Sequence, residues 1–531
     1  MNQNGTTLPI DTADAHACMA LIAGLPLTNA REAHRMLVML LTGLAHRSPP
    51  APAYLDVLEA VRAPLAFLQD ELAQRYAAKP LPPLPAEAEA FRHVLALWQL
   101  MARAYAMVAQ LGSGDRSIQD KLALICQRCV HYAGKAILEY YRARRAPTPG
   151  AWIDLHGYFA TAEEWGIDKT AVPEPLNEER KNQSPAEAYA AVLLVDLANP
   201  YGRSAHEFAW IGRWARRLAP QTAVLPLGEP IETRAFGIDL MADASTRPLE
   251  RLPRTDSVRH FDTRPLVPVL QELLMRLKER ESPAALGLGD DCPSSTASRL
   301  LLQLYKPWCL NAIPRRFQRR GASGVAQVCL GFEAAHYHIT GDEFQQPEHV
   351  RMYSRGDMER IWTFRDQIDP TQLNVRAKQV QLGYPLERWS VLDQSVSGFR
   401  LQRGAAGARI ENGQLFCLKP PDGEHFFLAQ VSWSLMQKDE LLIGIHVLPG
   451  LPQGVAVRPT GLKVSHSERY VRAFLLPAVP SLNEAASLVV PRGMFQPERI
   501  IEVFTERQAS LRLGELLAQG PDFERTTFTR A

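Results

Sequence analysis

Residues 387–403, ERWSVLDQSVSGFRLQR, decide how the second half of this 531-residue chain is read. The run is aromatic and β-branched, and a polar turn at 393–398 breaks it before the chain enters a second strand. Similar runs flank it: GVAQVCLGFEAAHYHI (324–339), HFFLAQVSWSLM (425–436) and ELLIGIHVL (440–448). Gly, Pro and Asp turns separate them, and between most of them nothing is long enough for a crossover helix, so an antiparallel barrel is expected. The style continues through YVRAFLLPAV (470–479), AASLVVPRGMF (485–495), RIIEVFTE (499–506) and LRLGELL (511–517), either as further strands of the same barrel or as a small second β unit.

The N-terminal half reads differently. Apolar residues recur at helical spacing from AREAHRMLVMLLTGLAHR (30–47) through KLALICQRCVHYAGKAILEYY (121–141) to AHEFAWIGRWARRLAP (205–220), with Pro- or Gly-containing breaks between segments. AWIDLHGYFATAEEWGI (151–167) has a tetratricopeptide flavour at Trp152, Leu155, Tyr158 and Ala162, but no further copies follow at a fixed period, so an irregular helical domain is expected. Residues 223–245 alternate like strands, and two more helices follow at 263–281 and 295–310. Gly287 and Gly289, in the linker between those helices, follow no strand and are read as loop glycines rather than a dinucleotide loop. The fold class is α+β: a multi-helix domain at 1–305, an antiparallel barrel at 306–455 and a β-rich extension at 456–531.

Composition narrows the function. With 59 basic and 57 acidic residues and a net charge of +2, nothing general attracts a nucleic-acid polymer or an anionic membrane, so any anion site must be local. No run approaches the roughly 18 unbroken apolar residues of a spanning helix, and the first residues lack a basic region followed by an apolar one. A cytoplasmic protein without membrane insertion and without DNA or RNA as partner is expected. The seven cysteines are an odd, scattered set, and the CxxC of Cys126 and Cys129 falls inside a helical pattern with no second CxxC, so it is read as helix core.

Two segments carry chemistry. PRRFQRRG (314–321) places Arg315, Arg316, Arg319 and Arg320 in six positions immediately before a strand. Guanidinium groups so placed can donate bidentate hydrogen bonds to phosphate or to the O6 and N7 edge of guanine, and can stack on the base; the bland reading is a solvated basic turn. In VLDQSVSGFRL (391–401), Asp393, Ser395 and Gly398 stand as D-x-S-x-x-G. That carboxylate can accept from the N1 and N2 hydrogens of guanine, the hydroxyl can add a bond, and glycine admits close backbone approach.

In this order, R-x-x-x-R followed by D-x-S-x-x-G resembles the PilZ domain family of bacterial cyclic di-GMP receptors, over roughly residues 306–455. The stretch AQVSWSLMQKDELLIGIHVL (429–448), an apolar strand ending near Trp433 and then a strand with Gly444, is similar to the family's closing strands. The resemblance implies a six-stranded barrel with an arginine loop that folds over cyclic di-GMP. Arg316 and Arg320, with Arg315 and Arg319 in a second frame, hold guanine edges and phosphates, while Asp393, Ser395 and Gly398 grip a guanine. Residues 341–386 depart from the family spacing and are read as an insertion from the barrel.

Other chemistries are weighed against this. His336 and His338 stand two apart and are read as lying on one polar strand face; with Asp342 and Glu343 nearby they could bind a transition metal, but no third histidine stands at a recognisable spacing and no metal is expected. No nucleophile elbow, Walker loop or HExxH motif is present, and GDEF at 341–344 lacks the first glycine of GGDEF. The expectation is a cyclic di-GMP effector, not an enzyme, with no catalytic residues and no cofactor, whose helical domain binds a protein partner or self-associates. The alternative is a helical scaffold or chaperone-like adaptor whose barrel no longer binds nucleotide.

Overall fold

Helix starts in the N-terminal region are written in local chemistry. Ser184 accepts from the amide of Glu187 at 3.2 Å while Glu187 accepts from the amide of Ser184 at 2.9 Å, and Ser204 and Glu207 repeat the arrangement one helix later. The computed structural model describes residues 11–177, 180–228, 235–310, 319–347, 383–460, 469–505 and 508–531. It packs as two units, Met1–Lys79 with Pro83–Pro314, and Pro80–Pro82 with Arg315–Ala531.

The first unit runs α1 (Ala15–Ala23), α2 (Ala30–His46), α3 (Ala51–Ala73), α4 (Pro85–Leu111), α5 (Arg116–Gln119), α6 (Leu122–Arg142) and α7 (Ala151–Glu164). A hairpin of β1 (Val172–Pro173) and β2 (Asn182–Gln183) leads into α8 (Pro185–Leu197) and α9 (Ala205–Leu218). The strand-like stretch after residue 222 forms a small sheet of β3 (Ala223–Pro226), β4 (Phe236–Asp239), β5 (Arg247–Pro248) and β6 (Val258–Asp262), in the order β3-β6-β4-β5. Two helices, α10 (Leu266–Lys278) and α11 (Ser294–Cys309), complete the unit.

Helix α6 is its axis, packing against α4, α7 and α8. A Cβ on Gly134 would lie 2.7 Å from Val192, so glycine is what lets α6 approach α8. Cys126 and Cys129 sit in this core as expected, and burial pushes the Cys126 thiol up to about 11, which disfavours the reactive thiolate. Trp308 of α11 is fully buried and donates its indole N–H to the Leu194 carbonyl at 2.8 Å, tying α11 to α8. Helix α4 is long and apolar enough to cross a membrane by length and composition; its buried face, including Phe91, Trp98 and Tyr105, lies in the helical core.

The second unit holds two barrels. Strands β7 (Arg320–Gly321), β8 (Val325–Leu330), β9 (Glu387–Ser395), β10 (Gly398–Gly404), β11 (Leu415–Lys419), β12 (Phe427–Gln437) and β13 (Glu440–Val447) pair in the order β10-β13-β12-β11-β8-β9-β7. Strand β10 also pairs with β9, so β8 to β13 close into a ring around Trp389, Leu401, Phe416, Ile443 and Ile445. Leu81 is buried in the same core, and its amide donates to the Ile410 carbonyl at 2.9 Å. The remaining strands form a separate closed barrel, β14 (Gln453–Pro459), β15 (Val471–Leu476), β16 (Ser487–Pro491), β17 (Ile500–Phe504), β18 (Gln508–Gln519) and β19 (Phe523–Arg530).

One expectation fails here. Residues 332–340 are not strand but helix α12 (Phe332–Thr340), because Gly331 at φ +83 ends β8 and the following Glu-Ala-Ala favours helix. His336 and His338, two apart on a helix, therefore share no face. His336 is buried, and His338 Nε2 lies 3.0 Å from the Tyr384 carbonyl. Among the described residues no group of three or more His, Cys, Asp or Glu can hold a metal. Of the expected insertion at 341–386, residues 348–382 lie outside the described residues.

The helical core also contains charge. The β1–β2 hairpin inserts Glu174, 1% exposed, between two buried arginines: Arg62 Nη2 donates to it at 2.5 and 2.6 Å, and Arg128 Nη1 at 2.8 Å. Glu59 accepts from the other side of Arg128 at 2.8 and 3.0 Å and from Tyr105 at 2.6 Å, which balances the charge of the cluster. Burial alone would raise the Glu174 pKa, but His131, Arg128 and Arg62 outweigh it and hold the carboxyl at about 2. His131 is itself pushed down to about 3 by burial, so the two arginines supply the field at neutral pH.

Because the folded-state pKa of Glu174 lies below its unfolded value, the stability it contributes is present above about pH 4.5 and is lost as pH falls toward 2. Glu174→Gln is expected to destabilise the helical unit by about 3–5 kcal/mol at pH 7, and by much less near pH 2. Urea unfolding at both pH values checks the size and the sign.

Candidate functional site

The candidate site begins with a backbone irregularity. Along β9, Trp389 and Val391 point into the barrel core, and strict alternation would send Asp393 inward too. The pairing of β9 with β10 shifts instead: Leu401 opposes Val391, but Arg400 opposes Asp393, leaving Leu392 as an extra residue. This β-bulge turns Asp393 to the outer face beside Arg400, whose neighbour Leu401 faces the core.

Two arginines converge on that carboxylate. Arg319 Nη1 donates to Asp393 Oδ1 at 2.7 Å, and Arg400 Nε lies 2.8 Å from Oδ2. Asp393 is mostly buried, at 14% exposure, whereas Arg400 is 41% exposed. The end of the arginine segment is held by backbone: β7 pairs with β9 so that Arg320 opposes Gln394 and Gly321 opposes Asp393. Thus Arg319, Arg320 and Asp393, 73 to 74 positions apart in the chain, meet at one barrel edge. Arg315 and Arg316 lie outside the described residues.

Ser395 and Gly398 frame the two-residue turn of the β9–β10 hairpin, and the Ser395 hydroxyl donates to the Gly398 carbonyl at 3.3 Å. A Cβ on Gly398 would collide with the Ile445 carbonyl oxygen of β13, so the first demand for glycine here is strand packing. Outward from this hairpin the register forms two rows. Asp393, Arg400, Gly444 and Trp433 make one; Ser395, Gly398, His446 and Gln430 make the other. Trp433 is not at a strand end, as expected from sequence, but inside β12, with its indole over Gly444.

Arg400 was missed in the sequence, although the signal was there. A two-residue turn pairs Ser395 with Gly398, and counting outward pairs Gln394 with Phe399 and Asp393 with Arg400. The resulting cluster carries two guanidinium groups around one carboxylate, a local excess of positive charge on the outer face of the barrel. Such a face can receive an anion, and the carboxylate can turn to a planar N–H donor when an arginine oxygen contact is exchanged.

Comparison with known proteins gives three ordered matches to domains described under one receptor. The model of the cyclic-di-GMP receptor FimW N-terminal domain matches residues 16–227, that of the FimW middle PilZ domain residues 236–369, and that of the FimW C-terminal β-barrel domain residues 455–531. The cyclic-di-GMP receptor FimW of Pseudomonas aeruginosa is similar to this chain, 23% identical over 532 residues that cover 91% of this chain and 84% of the relative. The middle-domain match begins at residue 236, so the similarity extends beyond the C-terminal half of the chain.

A double-mutant cycle tests the carboxylate cluster. Asp393→Ala and Arg400→Ala are expected to couple by about 1 kcal/mol in barrel stability, read from urea midpoints of the two single variants and the double variant. Additive effects would mean that the pair does not act as a unit.

Proposed function

Because residues 236–369 match the FimW middle PilZ domain and the chain is similar to a cyclic-di-GMP receptor, we propose that it is a cyclic di-GMP effector that couples nucleotide binding at the barrel to a protein-interaction surface of the helical domain. The observation that carries this reading is the meeting of Arg319 and Asp393 at 2.7 Å, one residue from each family motif segment. In this reading Arg315, Arg316, Arg319 and Arg320 engage guanine edges and phosphates, and Asp393, Ser395 and Gly398 receive a guanine.

Ligand entry is an exchange of partners. The Asp393 carboxylate leaves Arg319 for the N1 and N2 hydrogens of guanine, while Arg319 turns to a phosphate and Arg400 keeps the carboxylate charged. No buried charge is stranded at any point, since each ion loses one charged or polar partner as it gains another. The energy available to rearrange the helical domain is limited to the ligand's preference for one arrangement over the other.

The proposed division of labour is partner binding or self-association by residues 1–305, nucleotide sensing by 306–455, and a β-rich extension at 456–531. The protein is cytoplasmic in this reading, without nucleic acid or membrane insertion, and acts as an effector rather than an enzyme. The second reading, an adaptor whose barrel no longer binds nucleotide, draws on the same ion pair, because a carboxylate already satisfied by two arginines can remain so.

Calorimetric titration with cyclic di-GMP, with cyclic di-AMP and GTP as controls, separates the two. Selective binding is expected, weakened about 10- to 100-fold by Arg316→Ala or by Arg320→Ala if each contact contributes about 1–3 kcal/mol. Absence of binding, or unchanged affinity in both variants, overturns the proposal.

A further inference from the structure

A cavity that shares no lining residue with the arginine cluster lies where helix α12 and the loop after it meet the C-terminal barrel. Its volume is about 690 Å³, within the range of ligand pockets, and its lining includes His336, Tyr337, Asp342, Glu343, Phe344 and Phe504. The wall is held from both sides. The Gln346 side chain donates to the Tyr470 carbonyl and accepts from its amide, both at 3.0 Å, clipping the loop to the barrel as a strand would. On the floor, a Cβ on Gly454 would collide with Thr340 and His336, so glycine there keeps α12 seated.

The chemistry of the lining is one-sided. Asp342 and Glu343 are exposed carboxylates on the rim. His336 is 7% exposed, and its Nδ1 has no hydrogen-bond partner among the described residues. Burial, and then Arg472, push this imidazole down to about 4, so at neutral pH it adds no positive charge. Arg472 stands at the cavity wall, its guanidinium 4.9 Å from the Phe344 ring centroid, and its charge is offset by Glu333, to which it donates at 2.8 Å. That contact is of the cation–π kind, and it covers part of the Phe344 ring. Two carboxylates, three aromatic rings and a neutral imidazole repel an anionic nucleotide and suit an organic cation.

We propose that this cavity is a docking site for an arginine- or lysine-bearing segment of a protein partner, its cationic group held between the Asp342 and Glu343 carboxylates and the Phe344 and Phe504 rings. The site is independent of the nucleotide reading, because it shares none of its residues with the Arg319–Asp393–Arg400 cluster.

The test is a calorimetric titration of the full chain with triarginine amide at about 0.15 M salt, where long-range attraction is screened, with triglutamate as control. Triarginine amide is expected to bind and triglutamate not to bind. The Asp342→Asn, Glu343→Gln double variant should weaken binding by about tenfold, the sum of two rim charges at about 0.5–1 kcal/mol each. Phe344→Leu, which keeps apolar bulk but removes the ring, should also weaken it, and cyclic di-GMP titration should be unaltered in all three proteins. Binding of triarginine amide that is absent, equal to that of triglutamate, or unchanged in both variants overturns the proposal.

Discussion

A single extra residue governs the barrel face on which the candidate site stands. Leu392 interrupts the alternation of β9, and without that shift Asp393 would share the parity of Trp389 and Val391 and face the apolar core. A carboxylate there would lose its hydration without gaining Arg319 or Arg400, at a cost that no packing gain offsets. The bulge therefore serves both stability and chemistry, because the same local twist that keeps charge out of the core aims it at the arginine segment.

Around that bulge the barrel is arranged to present backbone and broad side chains close together. Gly398 lets β10 meet the Ile445 carbonyl of β13, and Gly444 leaves room for the Trp433 indole to lie across the sheet. Both glycines are central in the four-strand patch that the register defines, so the outer face is low where Arg400 and Trp433 flank it. Large side chains at either position would lift one strand from its neighbour, with consequences for the hairpin that carries Asp393.

What the sequence showed, and what it hid, follows from the range of the interactions. Caps such as Ser184 with Glu187 are three residues apart and can be read directly, as can the helical burial of Cys126 and Cys129. The strands of both barrels were visible from composition and turns, but the closure of the last six into their own barrel was not, because alternation fixes a face and not a partner. HYHI at 336–339 alternates like a strand, and only the break at Gly331 and the Ala pair before it argue for helix. The bulge and the insertion of Glu174 between helices 46 and 112 residues away are tertiary choices with no local signature.

The same motif of one carboxylate between two arginines occurs in both units, and burial separates the two uses. Arg62, Arg128 and Glu174 are each nearly inaccessible, and Gln127 and Glu59 complete their hydrogen bonds, so removing any one charge strands the others in a low-dielectric core. Such a cluster holds a fold together and cannot trade partners. Around Asp393, by contrast, Arg400 is 41% and Arg319 26% exposed, so water can cover each guanidinium while partners exchange. At a surface-like effective dielectric of about 20 a contact pair at 4 Å is worth about 4 kcal/mol before desolvation is subtracted. Under the proposed function, an incoming phosphate and guanine would match that by offering both an anion to the arginine and donors to the carboxylate. Accessibility, rather than the identity of the charged residues, is what suits the second cluster to exchange of partners and the first to support.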